Sequence, residues 1–145
     1  MRTLSASGVN TVCKEAKCPN VSACFRNGHF TFMILGDFCT RNCRFCNINK
    51  SPDAGLRLDT DEPRRIADLV KKLDIRDVVI TSVTRDDLPD GGSGQFARTI
   101  DLIRGIDKSI KIEVLIPDFK GSPESIGKIV SAGPDILGHN IETVK

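Results

Sequence analysis

The sequence contains no tryptophan and no tyrosine among its 145 residues, and only two histidines. Because no aromatic residues are interleaved with the scattered lysines and arginines, it offers no stacking surface for nucleic acid. Its apolar runs are all shorter than the roughly 20 residues that a membrane-spanning helix needs. The net charge of +2 favours no particular class of partner. We therefore predict neither a nucleic-acid partner nor a membrane association.

Three familiar binding patterns are incomplete. The glycine-rich run Gly91–Gly94 has neither the Lys-Ser/Thr ending of a P-loop nor the spacing of a dinucleotide fingerprint, so we reject nucleotide hydrolysis. Cys43 and Cys46 form a single C-x2-C knuckle, whereas structural zinc modules usually show two. No charged-then-apolar signal segment follows Met1, so the oxidising compartment that a disulfide framework needs is unsupported. Zinc binding stays open as an alternative.

What the sequence does contain is six cysteines in two groups of three. The second group is Cys39, Cys43 and Cys46, spaced C-x3-C-x2-C directly after an apolar run. Thiolates so close together can reach one centre, and they select iron–sulfur clusters, zinc or copper(I) over hard cations. Three ligands leave one position open, which is what a catalytic metal keeps for an exogenous ligand. This segment predicts a metal site that binds a further molecule.

The first group is Cys13, Cys18 and Cys24, spaced C-x4-C-x5-C. Pro19 and Asn20 are turn formers, which allows the backbone to fold these thiols inward around a compact object. The alternative is that the three cysteines are buried as small hydrophobic side chains. Charged neighbours make the segment polar and exposed, which favours the first interpretation.

The rest of the chain alternates between strand and helix patterns. Apolar runs predict strands at 31–35, 78–82, 112–116 and 136–139, and the second of these is expected to be covered on both faces. Amphipathic stripes predict helices between them. The first has Pro63 in its first turn and a stripe from 66 to 73; the second has Ser93 as a possible N-cap and a stripe from 96 to 106. The third has Ser122 as N-cap and ends at Gly133.

Four strands separated by helices predict an α/β fold, either a (β/α) barrel or an open parallel sheet. Complete eight-unit barrels run to about 250 residues, so this chain has material for about the first four units. Such a half-barrel would leave two strand edges unpaired. We therefore expect the chain to be a fragment, a split subunit or a truncated form of a longer enzyme.

The double cysteine pattern resembles that of the lipoyl synthases, a family of radical S-adenosylmethionine (SAM) enzymes. The resemblance also covers Cys18-Pro-Asn20 and Phe32–Asp37. It continues through Val79–Val83, Arg85–Gly92, Lys111–Phe119 and His139–Val144. It implies residues 1–30 as a segment holding an auxiliary cluster, and residues 31–145 as the first part of a radical SAM (β/α) barrel.

The resemblance also implies two [4Fe–4S] clusters and SAM as cofactors. Cys39, Cys43 and Cys46 would bind the cluster whose fourth iron is chelated by SAM, and Cys13, Cys18 and Cys24 would bind an auxiliary cluster consumed as the sulfur source. Phe45 matches an aromatic that lies against the adenine, although packing under the loop is an equal alternative. Polar residues at strand ends are expected to contact SAM or substrate at the barrel mouth. They are Thr81, Ser82, Glu113 and Asn140.

Other polar residues receive weaker assignments. Arg85, Asp86, Asp87 and Asp90 lie in a loop too rich in charge to be core, so we expect a solvated loop, or a wall of the site by family match. His139 is expected to be structural. Gly138 stands where the family usually has Asn, which removes a polar group near the site.

The implied reaction is sulfur insertion at C6 and C8 of an octanoyl chain held on a lysine of a lipoyl carrier protein, with an external electron donor. The family's C-terminal Arg-Ser-Ser-Tyr segment, whose serine completes the auxiliary cluster, does not occur in the sequence. Another radical SAM enzyme with an auxiliary cluster, or a non-catalytic iron–sulfur or zinc module, remains an alternative. A cytoplasmic location is expected, with the mitochondrial matrix and the plastid open.

Overall fold

The computed structural model describes residues 8–15, 30–51 and 57–141. We number the elements within these ranges. The strands are β1 (Phe30–Ile34), β2 (Phe38–Cys39), β3 (Asn49–Lys50), β4 (Asp77–Ser82), β5 (Lys111–Ile116) and β6 (Ile136–His139). The helices are α1 (Val12–Glu15), α2 (Glu62–Lys72), α3 (Ser93–Arg104) and α4 (Pro123–Ala132), together with a 3₁₀ turn at Phe119–Gly121.

The central feature is a four-stranded parallel sheet in the order β1-β4-β5-β6. Helices connect its successive strands, so the predicted α/β class with parallel strands is confirmed. Helix α3 packs between α2 and α4. The four predicted strands all form, and their ends differ from the prediction by one residue at most.

The core lies between the sheet and the helices. On β5, Ile112, Val114 and Ile116 are buried, whereas Glu113 and Leu115 on the other face are only half-buried. β4 shows the same alternation, so the expectation that this strand is covered on both faces is wrong for the described residues. The half-buried face corresponds to the inside of a barrel, and it remains accessible from the carboxyl ends of the strands.

The start of α3 differs from the prediction. The helix begins at Ser93, and Gly92 occupies the N-cap position with a left-handed φ of 90°. Ser93 is therefore not the N-cap. Instead, the Asp90 carboxylate accepts hydrogen bonds from the backbone N–H groups of Gly92 (2.9 Å) and Gly94 (2.8 Å). A carboxylate satisfies the free N–H groups of a first turn as well as a hydroxyl does, and it also interacts favourably with the helix dipole.

The predicted boundaries of α4 are confirmed. The Ser122 hydroxyl accepts a hydrogen bond from the Ser125 N–H at 3.2 Å, and Gly133 follows the helix with φ 70°. The two other predicted stripes run past the ends of their helices. Leu73 is the C-cap of α2, and Ile106 lies two residues beyond α3.

The two edges of the sheet differ in what lies beside them. Thr11 forms an antiparallel bridge with Phe32 on β1, and the Met33 N–H donates to the Asn10 carbonyl at 3.0 Å. The expectation that both edges would be unpaired is therefore wrong at β1. At the opposite edge, Ile136 and Leu137 of β6 are exposed. Among the described residues, no helix is both long enough and apolar enough to cross a membrane.

We predict that Gly92→Ala destabilises the protein more than Gly133→Ala does. Both glycines have a left-handed φ, which costs an L-residue about 1–2 kcal/mol. A Cβ on Gly92 would in addition lie 2.8 Å from Leu35 Cδ2, whereas a Cβ on Gly133 would meet nothing within 4 Å. We therefore expect losses of about 2–4 and about 1 kcal/mol in the free energy of unfolding. Urea denaturation of the purified variants measures both, and equal losses would contradict the packing of Leu35 on Gly92.

Candidate functional site

A cavity of about 540 Å³ lies where the carboxyl ends of β4, β5 and β6 meet the segment that contains the second cysteine group. This volume is within the range of small-molecule sites. Its lining residues include Cys39, Arg41, Cys43, Phe45, Cys46, Thr81, Ser82, Asp118, His139 and Asn140. Because the carboxyl ends of parallel strands meet at one edge of a sheet, residues far apart in sequence converge here.

Residues 38–50, which we call the cysteine loop, are closed at their base by a short parallel pairing of β2 with β3. The Ser51 N–H donates to the Cys39 carbonyl at 3.0 Å, next to this pairing. Within the loop, the Lys50 ammonium donates to the Cys43 carbonyl at 2.9 Å, and the Cys46 N–H donates to the same oxygen at 3.3 Å. The loop is therefore a closed unit held by backbone hydrogen bonds and by the side chain of Lys50.

The thiols of Cys39, Cys43 and Cys46 are half-buried, line the cavity and form no disulfide. The Arg41 N–H donates to Cys39 Sγ at 3.4 Å. Within the described ranges, no three His, Cys, Asp or Glu side chains are grouped to hold a single metal ion, as a tetrahedral zinc site requires. In a cubane cluster each thiolate binds a different iron, so the ligands need not converge on one point. Three soft ligands on one cavity fit such a cluster.

Among the other site residues predicted from the sequence, Phe45, Thr81, Ser82 and Asn140 line the cavity. Phe45 is 65% exposed, which argues against the alternative that it packs under the loop. Glu113 is not among the lining residues; it is half-buried on β5, two residues before the lining residue Leu115.

The first cysteine group is only partly described. Cys13 lies on α1, two residues after Thr11, which pairs with β1. Cys18 and Cys24 lie outside the described residues.

Ser82 has an unusual environment. Its Oγ is buried and has no hydrogen-bond partner among the described residues, although the residue lines the cavity. The hydroxyl of neighbouring Thr81 is satisfied, since it donates to the Leu115 carbonyl at 3.0 Å. Because an unpaired buried hydroxyl costs free energy, Ser82 Oγ is suited to pair with a ligand in the cavity.

One ring nitrogen of His139 forms a hydrogen bond within the protein. Its Nδ1 lies 2.9 Å from the Ile116 carbonyl oxygen. A carbonyl can only accept a hydrogen bond, so we assign the proton to Nδ1, which leaves Nε2 as an acceptor in the neutral ring. This contact is consistent with the structural role expected for His139, although the residue also lines the cavity.

Arg41 forms an ionic group with two carboxylates at the cavity. Its guanidinium donates to the Asp86 carboxylate at 2.8 and 3.0 Å, and to the Asp118 carboxylate at 2.7 Å through two nitrogens. The hydrogen bond from Arg41 lowers the pKa of Asp118 to about 2. The patterns in the sequence did not predict Arg41 and Asp118 as site residues. Their positions are nevertheless signals, because Arg41 lies inside the cysteine motif and Asp118 lies two residues after the end of β5.

A second polar group holds the turn by which the chain leaves β1. Leu35 has a left-handed φ of 71°. Its N–H donates to Glu62 Oε2 at 2.8 Å, and its carbonyl accepts from Arg85 Nη1 at 3.3 Å. Arg85 is only 2% exposed and pairs with Asp87 at 2.7 and 2.8 Å. The expectation of a fully solvated charged loop is therefore wrong at Arg85.

Glu62 is a buried carboxylate whose hydrogen-bond partners, among the described residues, carry no charge. Its Oε2 accepts from Leu35 N–H and from Gln95 Nε2 at 3.1 Å. Burial raises the pKa of Glu62 above its ordinary value, because desolvation disfavours the charged form. These two hydrogen bonds partly offset that effect.

We predict that Glu62→Gln preserves stability at neutral pH, whereas Glu62→Ala lowers it by about 1–3 kcal/mol. The amide oxygen of Gln can accept both hydrogen bonds without the cost of a buried charge, whereas Ala leaves two buried donors unpaired. Since the raised pKa makes the folded state bind more protons, wild-type stability falls relative to Glu62→Gln as the pH rises from 4.5 to the raised pKa. Urea denaturation across this range measures the difference, and a constant difference would contradict the burial of a charged Glu62.

Comparisons with known proteins agree with the cysteine pattern. Residues 33–145 match the family model described as the Radical SAM superfamily. The chain is 53% identical to a lipoyl synthase of Caldicellulosiruptor bescii, over 98% of this chain and 48% of that protein. It is 52% identical to a lipoyl synthase of Pyrobaculum arsenaticum (98% and 48%) and 54% identical to one of Geotalea uraniireducens (99% and 50%). The chain thus spans about half the length of the curated relatives it matches.

Proposed function

We propose, from the premise that this chain belongs to the radical SAM superfamily, that it takes part in lipoyl synthesis as a sulfurtransferase. The specific reaction is sulfur insertion at C6 and C8 of an octanoyl chain bound to a carrier protein. The observation that carries this proposal is the placement of three half-buried thiols on one cavity at the carboxyl ends of parallel strands. The similarity to lipoyl synthases supports the choice among radical SAM reactions.

Cys39, Cys43 and Cys46 would hold a [4Fe–4S] cluster and leave one iron for SAM. When bound, this pair supplies a 5′-deoxyadenosyl radical able to remove hydrogen from an unactivated carbon, which no acid or base in the chain could do. The protein's own part is to bind and orient the reactants and to exclude water from the cavity. Exposed Phe45 is available to stack on the adenine, and Ser82 and Asn140 to hydrogen-bond SAM or the substrate.

We also propose the division of the chain inferred from the sequence. Cys13, Cys18 and Cys24 of segment 1–30 would hold an auxiliary [4Fe–4S] cluster that donates sulfur, and residues 31–145 would form the first part of the barrel. The partners are an octanoylated lipoyl carrier protein and an external electron donor. We propose a cytoplasmic location, since a reducing compartment keeps cysteines available as thiolate ligands.

We predict that Cys43→Ala abolishes SAM cleavage, whereas Cys18→Ala spares it. The reason is that the second cysteine group lines the strand-end cavity, where SAM would bind, whereas the first group is proposed to hold a separate cluster. After anaerobic reconstitution, the wild type should bind about eight iron atoms and form 5′-deoxyadenosine. Each variant should lose about half of the iron. An equal loss of cleavage in both variants would contradict this division, and zinc without SAM cleavage would reject the enzyme.

A further measurement separates lipoyl synthesis from other radical SAM reactions. We expect the auxiliary cluster to lose sulfide in proportion to the product formed from an octanoylated carrier. An auxiliary cluster that keeps its sulfide through several turnovers would instead indicate a role in electron transfer or substrate binding.

We predict that Ser82→Ala weakens SAM or substrate binding about fivefold without lowering the stability of the ligand-free protein. Its buried hydroxyl has no described partner, so its removal costs nothing until a ligand is present. Thr81→Val is the matched control, because it breaks the bond to the Leu115 carbonyl and should reduce stability. Equilibrium binding and urea denaturation provide the two measurements. A loss of stability with unchanged affinity in Ser82→Ala would contradict the assignment.

A further inference from the structure

We infer that Arg41 is a positioning residue that fixes the cysteine loop and holds its own backbone N–H on the sulfur of Cys39. This inference rests on the proposed function, because it concerns the cluster that the three thiols would bind. The side chain of Arg41 does not need to touch SAM or the substrate for this role. It acts through the loop.

The guanidinium of Arg41 is held on two edges by two carboxylates. Two nitrogens bind the Asp86 carboxylate and two bind the Asp118 carboxylate, with one nitrogen shared by both. A planar fork held on two edges cannot rotate without breaking several charge-assisted hydrogen bonds. Asp86 lies in the loop after β4, and Asp118 lies in the loop after β5. Arg41 therefore joins the cysteine loop to the ends of two neighbouring strands.

Thr40, the residue before Arg41, is also held by hydrogen bonds. Its N–H and its hydroxyl both donate to the Thr84 carbonyl at 3.0 Å, and the hydroxyl accepts from the Asp86 N–H at 3.0 Å. These bonds fix the backbone on one side of Arg41, while the ion pairs fix its side chain. The Arg41 peptide is therefore held from both directions.

The peptide N–H of Arg41 contacts Cys39, which is one of the predicted cluster ligands. The Arg41 N–H lies 3.4 Å from Cys39 Sγ and donates to it. Hydrogen bonds to cluster sulfurs contribute to the reduction potential, because they stabilise the more electron-rich reduced form. Holding this N–H in place would therefore keep the potential of the cluster higher than in a loop that moves freely.

The experiment separates the effect of the planar shape of the Arg41 side chain from the effect of its charge. Arg41→Lys keeps the positive charge but cannot form the planar fork, and Arg41→Gln loses both. Arg44→Gln is the matched control, because Arg44 is an exposed arginine of the same loop that forms no ion pair with any described residue. Asp86→Ala is a fourth variant, since the described partner of its carboxylate is Arg41.

The first readout is hydrogen–deuterium exchange of the Thr40, Arg41 and Asp86 amides in the purified protein before the cluster is loaded. We expect about tenfold faster exchange in both Arg41 variants and in Asp86→Ala, and an unchanged rate in Arg44→Gln. The second readout is the midpoint potential of the anaerobically loaded protein. We expect it to become more negative in Arg41→Lys and Arg41→Gln, and by a smaller amount in Arg44→Gln, which only removes a positive charge near the predicted ligands.

Wild-type exchange rates and potential in Arg41→Lys would overturn the inference, because charge alone would then suffice. Equal shifts in Arg44→Gln and Arg41→Gln would overturn it for the same reason. The exchange experiment does not depend on SAM cleavage. Absence of SAM cleavage in the loaded wild type would therefore refute the proposed function, while the exchange rates would still decide whether Arg41 holds the loop.

Discussion

The peptide unit of Leu35 leaves a buried strand and turns at once toward the cysteine loop. For a residue with a side chain, the left-handed conformation costs about 1–2 kcal/mol, and it persists only where the surroundings enforce it. Here Glu62 binds the N–H and Arg85 binds the carbonyl, while Gly92 leaves space for the side chain. The direction in which the loop leaves β1 therefore depends on a buried carboxylate and a buried guanidinium from two other parts of the chain.

Charged side chains also hold the cysteine loop in place over the ends of the strands. Its base is closed by backbone pairing, but its position over the strand ends depends on charged side chains in the loops after β4 and β5. Charged pairs are directional and confine a loop to one arrangement, whereas apolar contacts tolerate sliding. This suits a site whose ligands come from a loop, because the cysteine loop has few apolar residues with which to pack on the hydrogen-bonded sheet.

Much of the fold could be predicted from the sequence because its signals are local. The apolar runs located all four strands of the main sheet, and Ser122 with Gly133 marked both ends of α4. The cysteine spacing identified the thiols that line the cavity. The sequence pattern favours Ser93 as an N-cap, because it does not reveal that Asp90, three residues earlier, supplies the acceptor. The roles of Arg41, Glu62 and Arg85 were not predictable for a related reason: each of them makes a hydrogen bond to a residue at least 27 positions away in the sequence.

The bridge between Thr11 and Phe32 has a consequence for the relation between the two cysteine groups. Cys13 follows this bridge by two residues, and Cys39 follows Phe32 by seven along the opposite direction of the ladder. Cys13 and the cysteine loop are thus both attached to β1. A change in the register of β1 would displace Cys13 and Cys39 together, so the separation of these two residues is protected against sliding of the neighbouring strands.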